Sequence, residues 1–390
     1  MNFSIDKIFY TVIFIIIIFI VFEYCTYLSL PISNKESFTN YKMCHYKKLN
    51  DATQNVLDTY NIKKYDNQND HNQKTEDDWD IYIPCGYNYV EDELNNIKVV
   101  NPDQKIYAID GCDNIASKNN LWKIIRNYYG REEACHLMPE TYNITETNDI
   151  NLFYDKYKNG GFNNQLFLLK KNIQRKKGIL LTKDYNRIIN EIKKKEYKLI
   201  QHYVNDLYLI KGRKLNLRLY VLIVCQNNTK NIYLYTKGKC IYTNKKYDEN
   251  DYDSYENHLT SLNLDVNIYK THPETFKDLK LYIGTKKYNV LFQNIIELLT
   301  RISIPIKENI CQKSSLKKGL LFQLFGADVI FTKDLHPYLL EFNKGASMKY
   351  MTDKDEIMKK QLLEDVFLFT SIISKNNKKS SDVKEKFILL

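Results

Sequence analysis

Three oxygen-bearing side chains near the end of this chain sit where core strands rarely carry them. FQLFGADVIF (Phe322 to Phe331), a short TKDLHP connection and YLLEFNKGAS (Tyr338 to Ser347) read as an antiparallel strand pair. Asp328 lies in the first strand, Glu341 and Asn343 in the second. Side chains alternate along a strand, so Glu341 and Asn343 share one face while Leu340 and Phe342 take the other. Two carboxylates and an amide oxygen form a hard-oxygen cluster, and Mg²⁺ in nucleotide enzymes is held by one or two carboxylates plus substrate phosphates. The alternative is a hairpin with its polar side in water.

A second strand carries the opposite charge. In RKLNLRLYVLIV (Arg213 to Val224), Lys214, Asn216 and Arg218 alternate with Leu215, Leu217 and Leu219. Cations on a strand that runs on into the apolar Val221 to Val224 are costly unless an anion meets them. A phosphate suits them, with Arg218 as bidentate donor and Lys214 as point charge. The competing reading is a half-exposed strand with a polar outer face. A third cluster, Lys170, Lys171, Arg175, Lys176 and Lys177, lies between two strand-like runs and closes at Gly178. Such a loop can cover phosphates, although with a single Gly it is neither a Walker loop nor a GxGxxG turn, and a solvated hairpin tip fits equally.

The elements that must position these residues alternate from Trp79 onward. WDIYIP, QKIYAID, QLFLLK, GILLT, KLIQHYV, LNLRLYVLIV and NIYLYTKGK read as strands. Asn119 to Gly130, Lys183 to Tyr197, KKYNVLFQNIIELLTRI and Asp353 to Ile373 read as helices, the first with a Gly stop. A loop-rich stretch follows NIYLYTKGK, and the lysine-rich C-terminus reads as a solvated end. The predicted organisation is an N-terminal anchor (1–28), a polar tether (29–78), an N-terminal lobe (79–165), central and C-terminal lobes (166–350), and a final helix with a basic tail (351–390).

At 390 residues, with 44% hydrophobic and 13% aromatic content, the chain is sized and composed like a globular enzyme rather than a disordered protein. Its net charge of +10 favours an acidic partner. No RNP-type, zinc-finger or basic-helix signature points to nucleic acid. The eight cysteines are scattered without metal spacing and predict free thiols in a reducing compartment. Ile8 to Phe22 is uncharged and strongly apolar and is followed by no small-residue cleavage site, so it predicts a retained single-pass membrane anchor. Lys35, Lys42, Lys47 and Lys48 follow it and only Lys7 precedes it, which places the body in the cytosol. Sequons at Asn143 and Asn227 are expected by chance in so Asn-rich a chain.

Taken in order, these segments resemble the tubulin–tyrosine ligase-like family. The resemblance runs through CDNIASKNNLWKII (Cys112 to Ile125), MPETYNI (Met138 to Ile144), the Lys170 loop, IQHYV (Ile200 to Val204), RKLNLRLYVLIV, NIYLYTKGK, HLTSLNL (His258 to Leu264) and the hairpin. It implies an α+β, ATP-grasp fold and ATP-dependent amide-bond formation on a carboxylate of an acidic protein tail such as that of tubulin. A free amino acid would be the second substrate, as in polyglutamylation. In family terms Asp328, Glu341 and Asn343 would ligate Mg²⁺, and Lys170 and Lys177 would lie in the phosphate loop. Gln201 and Tyr203 would line the adenine hinge, Asn216 would sit in the nucleotide site, and Lys214 and Arg218 would face the γ-phosphate and acyl phosphate. The chain departs from the family pattern at Asn216 (usually Asp), Thr236 (commonly Arg), Ser261 (HLTN) and in a shortened phosphate loop. The altered loop and Asn216 motivate a rival, a non-catalytic relative that binds nucleotide or microtubules. A luminal glycosyltransferase, from the anchor and the DYD of Asp251 to Asp253, is a further alternative.

Overall fold

The computed structural model describes residues 40–43, 48–65, 79–172, 178–374 and 380–390. Its strands are β1 (Asn40–Lys42), β2 (Lys63–Lys64), β3 (Ile81–Tyr82), β4 (Lys105–Ile106), β5 (Thr141–Asn143), β6 (Phe167–Lys170), β7 (Ile179–Thr182), β8 (Leu199–His202), β9 (Leu209–Ile210), β10 (Arg213–Gln226), β11 (Thr229–Tyr235), β12 (Lys239–Tyr242), β13 (Leu320–Phe331), β14 (Pro337–Asn343) and β15 (Phe387–Leu389). They form two sheets. The larger runs β15-β11-β10-β13-β4-β3-β1-β2, with β9 and β12 also on β10 and β14 also on β13; the smaller runs β5-β8-β6-β7. With helices packed on both, the architecture is the expected mixed α/β one.

The long antiparallel pair β10 and β13 is the spine, in register from Leu217 opposite Val329 to Cys225 opposite Leu321. One face of β10, from Leu215 through Ile223, is apolar along its whole length and enters a core with the helices Lys118–Tyr129 and Thr285–Lys307. The other face changes character midway. Tyr220, Leu222 and Val224 enter a second core under the helix Asp353–Phe369, whereas Lys214, Asn216 and Arg218 on the same face open into a cleft. β13 repeats the division, with Phe322 and Leu324 in the second core and Asp328 in the cleft. Each fully buried Leu or Phe here contributes about 1.5–3 kcal/mol relative to exposure, which lets the spine carry charge at one end.

Several expectations are corrected. NIYLYTKGK is two strands, β11 and β12, broken at Gly238, where a Cβ would lie 2.4 Å from the Phe276 ring and 2.6 Å from the Arg218 carbonyl oxygen. The loop-rich stretch contains a helix, Phe276–Ile283, started by a reciprocal Thr275–Asp278 capping box. Within the polar tether, Asn50 caps a helix, Asp51–Thr59, whose Val56 and Leu57 join the second core. The C-terminus ends in β15, which pairs with β11, while the Lys386 ammonium sits 2.8 Å from the fully buried Asp365 carboxylate. The cysteines are not all free: Cys225 at the end of β10 is disulfide-bonded to Cys311, and Cys85 is also oxidised, whereas Cys112, Cys135 and Cys240 are thiols.

Among the described residues no helix is long and apolar enough to cross a membrane. That finding overturns the expected single-pass, membrane-anchored placement; the apolar segment 8–22 itself lies outside the described residues.

Candidate active site

The cleft lies between the two sheets, with a volume of about 230 Å³. It is lined by nine of the ten residues to which the family resemblance gave a site role: Lys170, Gln201, Tyr203, Lys214, Asn216, Arg218, Asp328, Glu341 and Asn343. The tenth, Lys177, lies outside the described residues. Strand alternation accounts for the β10 set and cross-strand register for the β13–β14 set, since Arg218 stands opposite Asp328 and Asp328 opposite Glu341; Lys170 and Gln201 come from β6 and β8 of the smaller sheet.

Arg218 grips Asp328 with a bidentate fork, Nε to Oδ1 at 2.6 Å and Nη2 to Oδ2 at 3.0 Å. Gly326 makes room for it, because a Cβ there would lie 3.1 Å from Arg218 Cδ. Glu341 faces Lys118, whose Nζ is 3.2 Å from its carboxylate. Asn343 Nδ2 is 3.4 Å from both an Asp328 and a Glu341 oxygen, so all three side chains converge. Burial raises both carboxyls. For Asp328 it outweighs Arg218, and the pKa lies above the usual value. For Glu341 the cations Lys118, Lys170 and Arg218 outweigh burial, and the pKa lies below it.

The strand pair departs from simple alternation at one place. Asp328 pairs with Glu341 but Val329 pairs with Leu339, so Leu340 is an extra, bulged residue. The bulge turns Leu340 toward the cleft beside Glu341, where it joins Ile330 and Ile179 as apolar wall.

Two lysines line the same cleft, and among the described residues neither touches a carboxylate. Lys170 Nζ donates to Gln201 Oε1 at 2.6 Å, and Gln201 in turn donates to Thr141 Oγ1 at 2.8 Å. Lys214 Nζ donates to the Tyr203 hydroxyl at 3.2 Å and lies 4.4 Å from the centre of its ring. The side chains of the supposed adenine hinge, Gln201 and Tyr203, are thus committed to holding cations. Burial pushes the Lys170 pKa down to about 8, while burial, with Lys170 adding to it, pushes Lys214 down to about 7. Beside them the Asn216 Oδ1 is buried without a hydrogen bond. Buried cations with only neutral contacts and an orphaned acceptor are what a site for a polar, anionic ligand looks like when its ligand supplies the missing partners.

The model of the tubulin-tyrosine ligase family matches residues 96–380. The chain belongs to the tubulin-tyrosine ligase family. It is 26% identical over 296 residues to a probable beta-tubulin polyglutamylase of Tetrahymena thermophila, covering 68% of this chain and 24% of that protein. It is also 29% identical over 170 residues to the probable tubulin polyglutamylase TTLL9 of Rattus norvegicus, covering 42% of this chain and 36% of that protein. The tubulin polyglutamylase TTLL6 of Mus musculus matches at 23% over 327 residues, 78% of this chain and 38% of that protein. The chain therefore spans well under half the length of these relatives.

Two residues of this tubulin-tyrosine ligase family member were not singled out from sequence although they contact the cleft's side chains. Lys118 reaches Glu341 from the start of the helix Lys118–Tyr129, far away in sequence. In a chain with 57 lysines and arginines nothing local distinguishes it. His258 lines the cleft, fully buried, and bonds Tyr203. Within the DYD, the Asp251 carboxylate serves local structure, accepting from Ser254 N and Asn257 Nδ2. Of the two sequons, Asn143 is buried and Asn227 exposed.

Proposed function

We propose that this chain is an ATP- and Mg²⁺-dependent ligase of the ATP-grasp kind that joins an amino acid to a carboxylate of an acidic protein tail, tubulin or a similar one. The observation that carries the reading is the pairing, across one cleft, of two buried lysines lacking carboxylate contacts with a converging carboxylate–amide cluster. The donor set fits a divalent cation. Asp328, Glu341 and Asn343 offer hard oxygens once the Asn343 amide is turned, and the choice of its O and N positions follows the ligand. When bound, Mg²⁺ would neutralise the charge developing on the transferred phosphoryl group.

The side chains of this protein supply the rest. Lys170 and Lys214 provide fixed positive charge for phosphates in a site that holds them away from water. Asn216 Oδ1 accepts from a ligand hydroxyl. Arg218, held flat by Asp328, stands where a γ-phosphate and an acyl phosphate would pass. In the reaction the acceptor carboxylate takes the γ-phosphoryl group and ADP leaves. The amine of the incoming amino acid then attacks the acyl carbon, loses a proton, and phosphate departs as the amide forms. A charge of +10 suits an acidic acceptor.

The test is intact-mass analysis of tubulin after incubation with the chain, ATP, Mg²⁺ and glutamate, glycine or tyrosine in turn. One mass ladder is expected. ATP binding without ADP formation under any of these conditions would favour the non-catalytic reading, for which Asn216 and the shortened phosphate loop are the motivating departures.

Lys214 makes nucleotide affinity sensitive to alkali. Its pKa of about 7 in the empty protein lies far below the ordinary lysine value, so above neutrality the empty cleft has lost that proton and an incoming phosphate must restore it. The Kd for ADP is expected to rise by up to about tenfold per pH unit between roughly 7.5 and 9, with proton uptake seen by calorimetry in buffers of different ionisation heat. Lys214→Arg, which stays charged, should flatten that limb. The same shift acts oppositely on folding. The unfolded chain holds the proton up to the ordinary lysine range, so the empty protein gains stability as pH rises through that window.

A further inference from the structure

His258 does nothing in the reaction as outlined, yet it is fully buried at the wall of the cleft and both its ring nitrogens are engaged. Nε2 is 3.0 Å from the Asp251 carbonyl oxygen, and Nδ1 is 3.0 Å from the Tyr203 hydroxyl. A carbonyl oxygen only accepts, so Nε2 carries the ring proton. Nδ1 of the neutral ring is therefore an acceptor, and the Tyr203 hydroxyl must donate to it. That leaves the phenol oxygen with its lone pairs toward Lys214, whose ammonium donates to it at 3.2 Å. The chain Lys214, Tyr203, His258, Asp251 carbonyl thus has one direction, and the far end sets it.

We propose that His258 is a positioning residue that fixes Lys214 as the phosphate-facing cation, by keeping the Tyr203 hydroxyl oriented as an acceptor toward the lysine. The inference rests on the ligase reading above and goes beyond it, because it assigns the orientation of the cleft's lysine to a residue that reaches that lysine only through Tyr203. Reversal of the chain has a defined cause. A second proton on His258 makes Nδ1 a donor, the Tyr203 hydroxyl must turn its own proton toward Lys214, and two donors then face each other. The groups around the ring are the Tyr203 and Tyr247 rings, each 5.4 Å away and edge-on, with Lys214 and the Asp248 and Asp251 carboxylates beyond them. Burial lowers the His258 pKa, the Asp251 carbonyl opposes this, and Lys214 adds to it, so the ring is neutral at neutral pH and the reversal belongs to acid.

The experiment is ADP binding to the full chain, measured from pH 5 to 8, for wild type, His258→Leu, His258→Asn, Tyr203→Phe and the Leu/Phe double variant, each checked for folding by circular dichroism. His258→Leu and Tyr203→Phe should each weaken binding at neutral pH by roughly tenfold, the first by freeing the hydroxyl that faces Lys214 and the second by removing it. The double variant should bind no worse than either single one, since both cut the same chain. His258→Asn places an oxygen where Nδ1 was; it should bind within about threefold of wild type and lack part of wild type's weakening in acid. Wild-type affinity in His258→Leu, additive losses in the double variant, or an unchanged acid limb in His258→Asn would each overturn the proposal while leaving the ligase reading intact. A wild-type chain that binds no nucleotide would sink both.

Discussion

Glu341→Gln is expected to cut ADP release in the ligase assay by about a thousandfold, near 4 kcal/mol of transition-state stabilisation, while the protein stays folded. The substitution keeps shape and removes charge, which isolates electrostatics from packing. Glu341 is one of two carboxylates converging with Asn343, and three cations, Lys118, Lys170 and Arg218, act together to keep it ionised against burial. An amide there leaves those cations unbalanced and halves the negative charge available to Mg²⁺. The Mg²⁺ dependence of nucleotide affinity, measured by titration calorimetry with and without the metal, should largely vanish. A variant that kept both its metal dependence and its turnover would remove Glu341, and with it the β13–β14 hairpin, from the proposed metal site.

Arg218→Ala should instead be felt first in stability. The bidentate pair with Asp328 is largely buried, and removing one partner leaves a carboxylate with no counter-ion in the spine of the sheet. Losses of about 3–5 kcal/mol follow from breaking such a pair, read as a lower midpoint in urea with an unchanged slope. Adding Asp328→Asn to that variant takes away the stranded charge and should recover most of the stability but none of the activity. Recovery of neither would mean that Arg218 matters mainly by packing against Gly326 and the neighbouring backbone.

These expectations rest on a site whose halves were legible to different degrees. Alternation alone placed Lys214, Asn216 and Arg218 on one face of β10 and Leu215, Leu217 and Leu219 on the other, because a two-residue period is a local property of any strand. The switch of that same face from a second core at Tyr220, Leu222 and Val224 to the cleft also follows from composition. The bulge at Leu340 was not visible, since it arises from the match between two strands and leaves no mark in either. The capping box at Thr275 and Asp278 is a local signal for the helix it starts, but the apolar face of that helix is too short to show a helical period.

The sequence by itself determined most of the strands and helices around the cleft and which side chains share a face of β10, consequences of short-range periodicity and of charges that a core cannot hold unpaired, while the ordered series of motifs carried the family resemblance. Only the tertiary structure decided that Lys118 comes to Glu341, that Cys225 bonds Cys311, that the C-terminal strand closes the edge of β11, and that His258 holds Tyr203. Each of these joins residues separated by more than fifty positions. Their pairing depends on how whole helices and sheets pack, which no local pattern encodes.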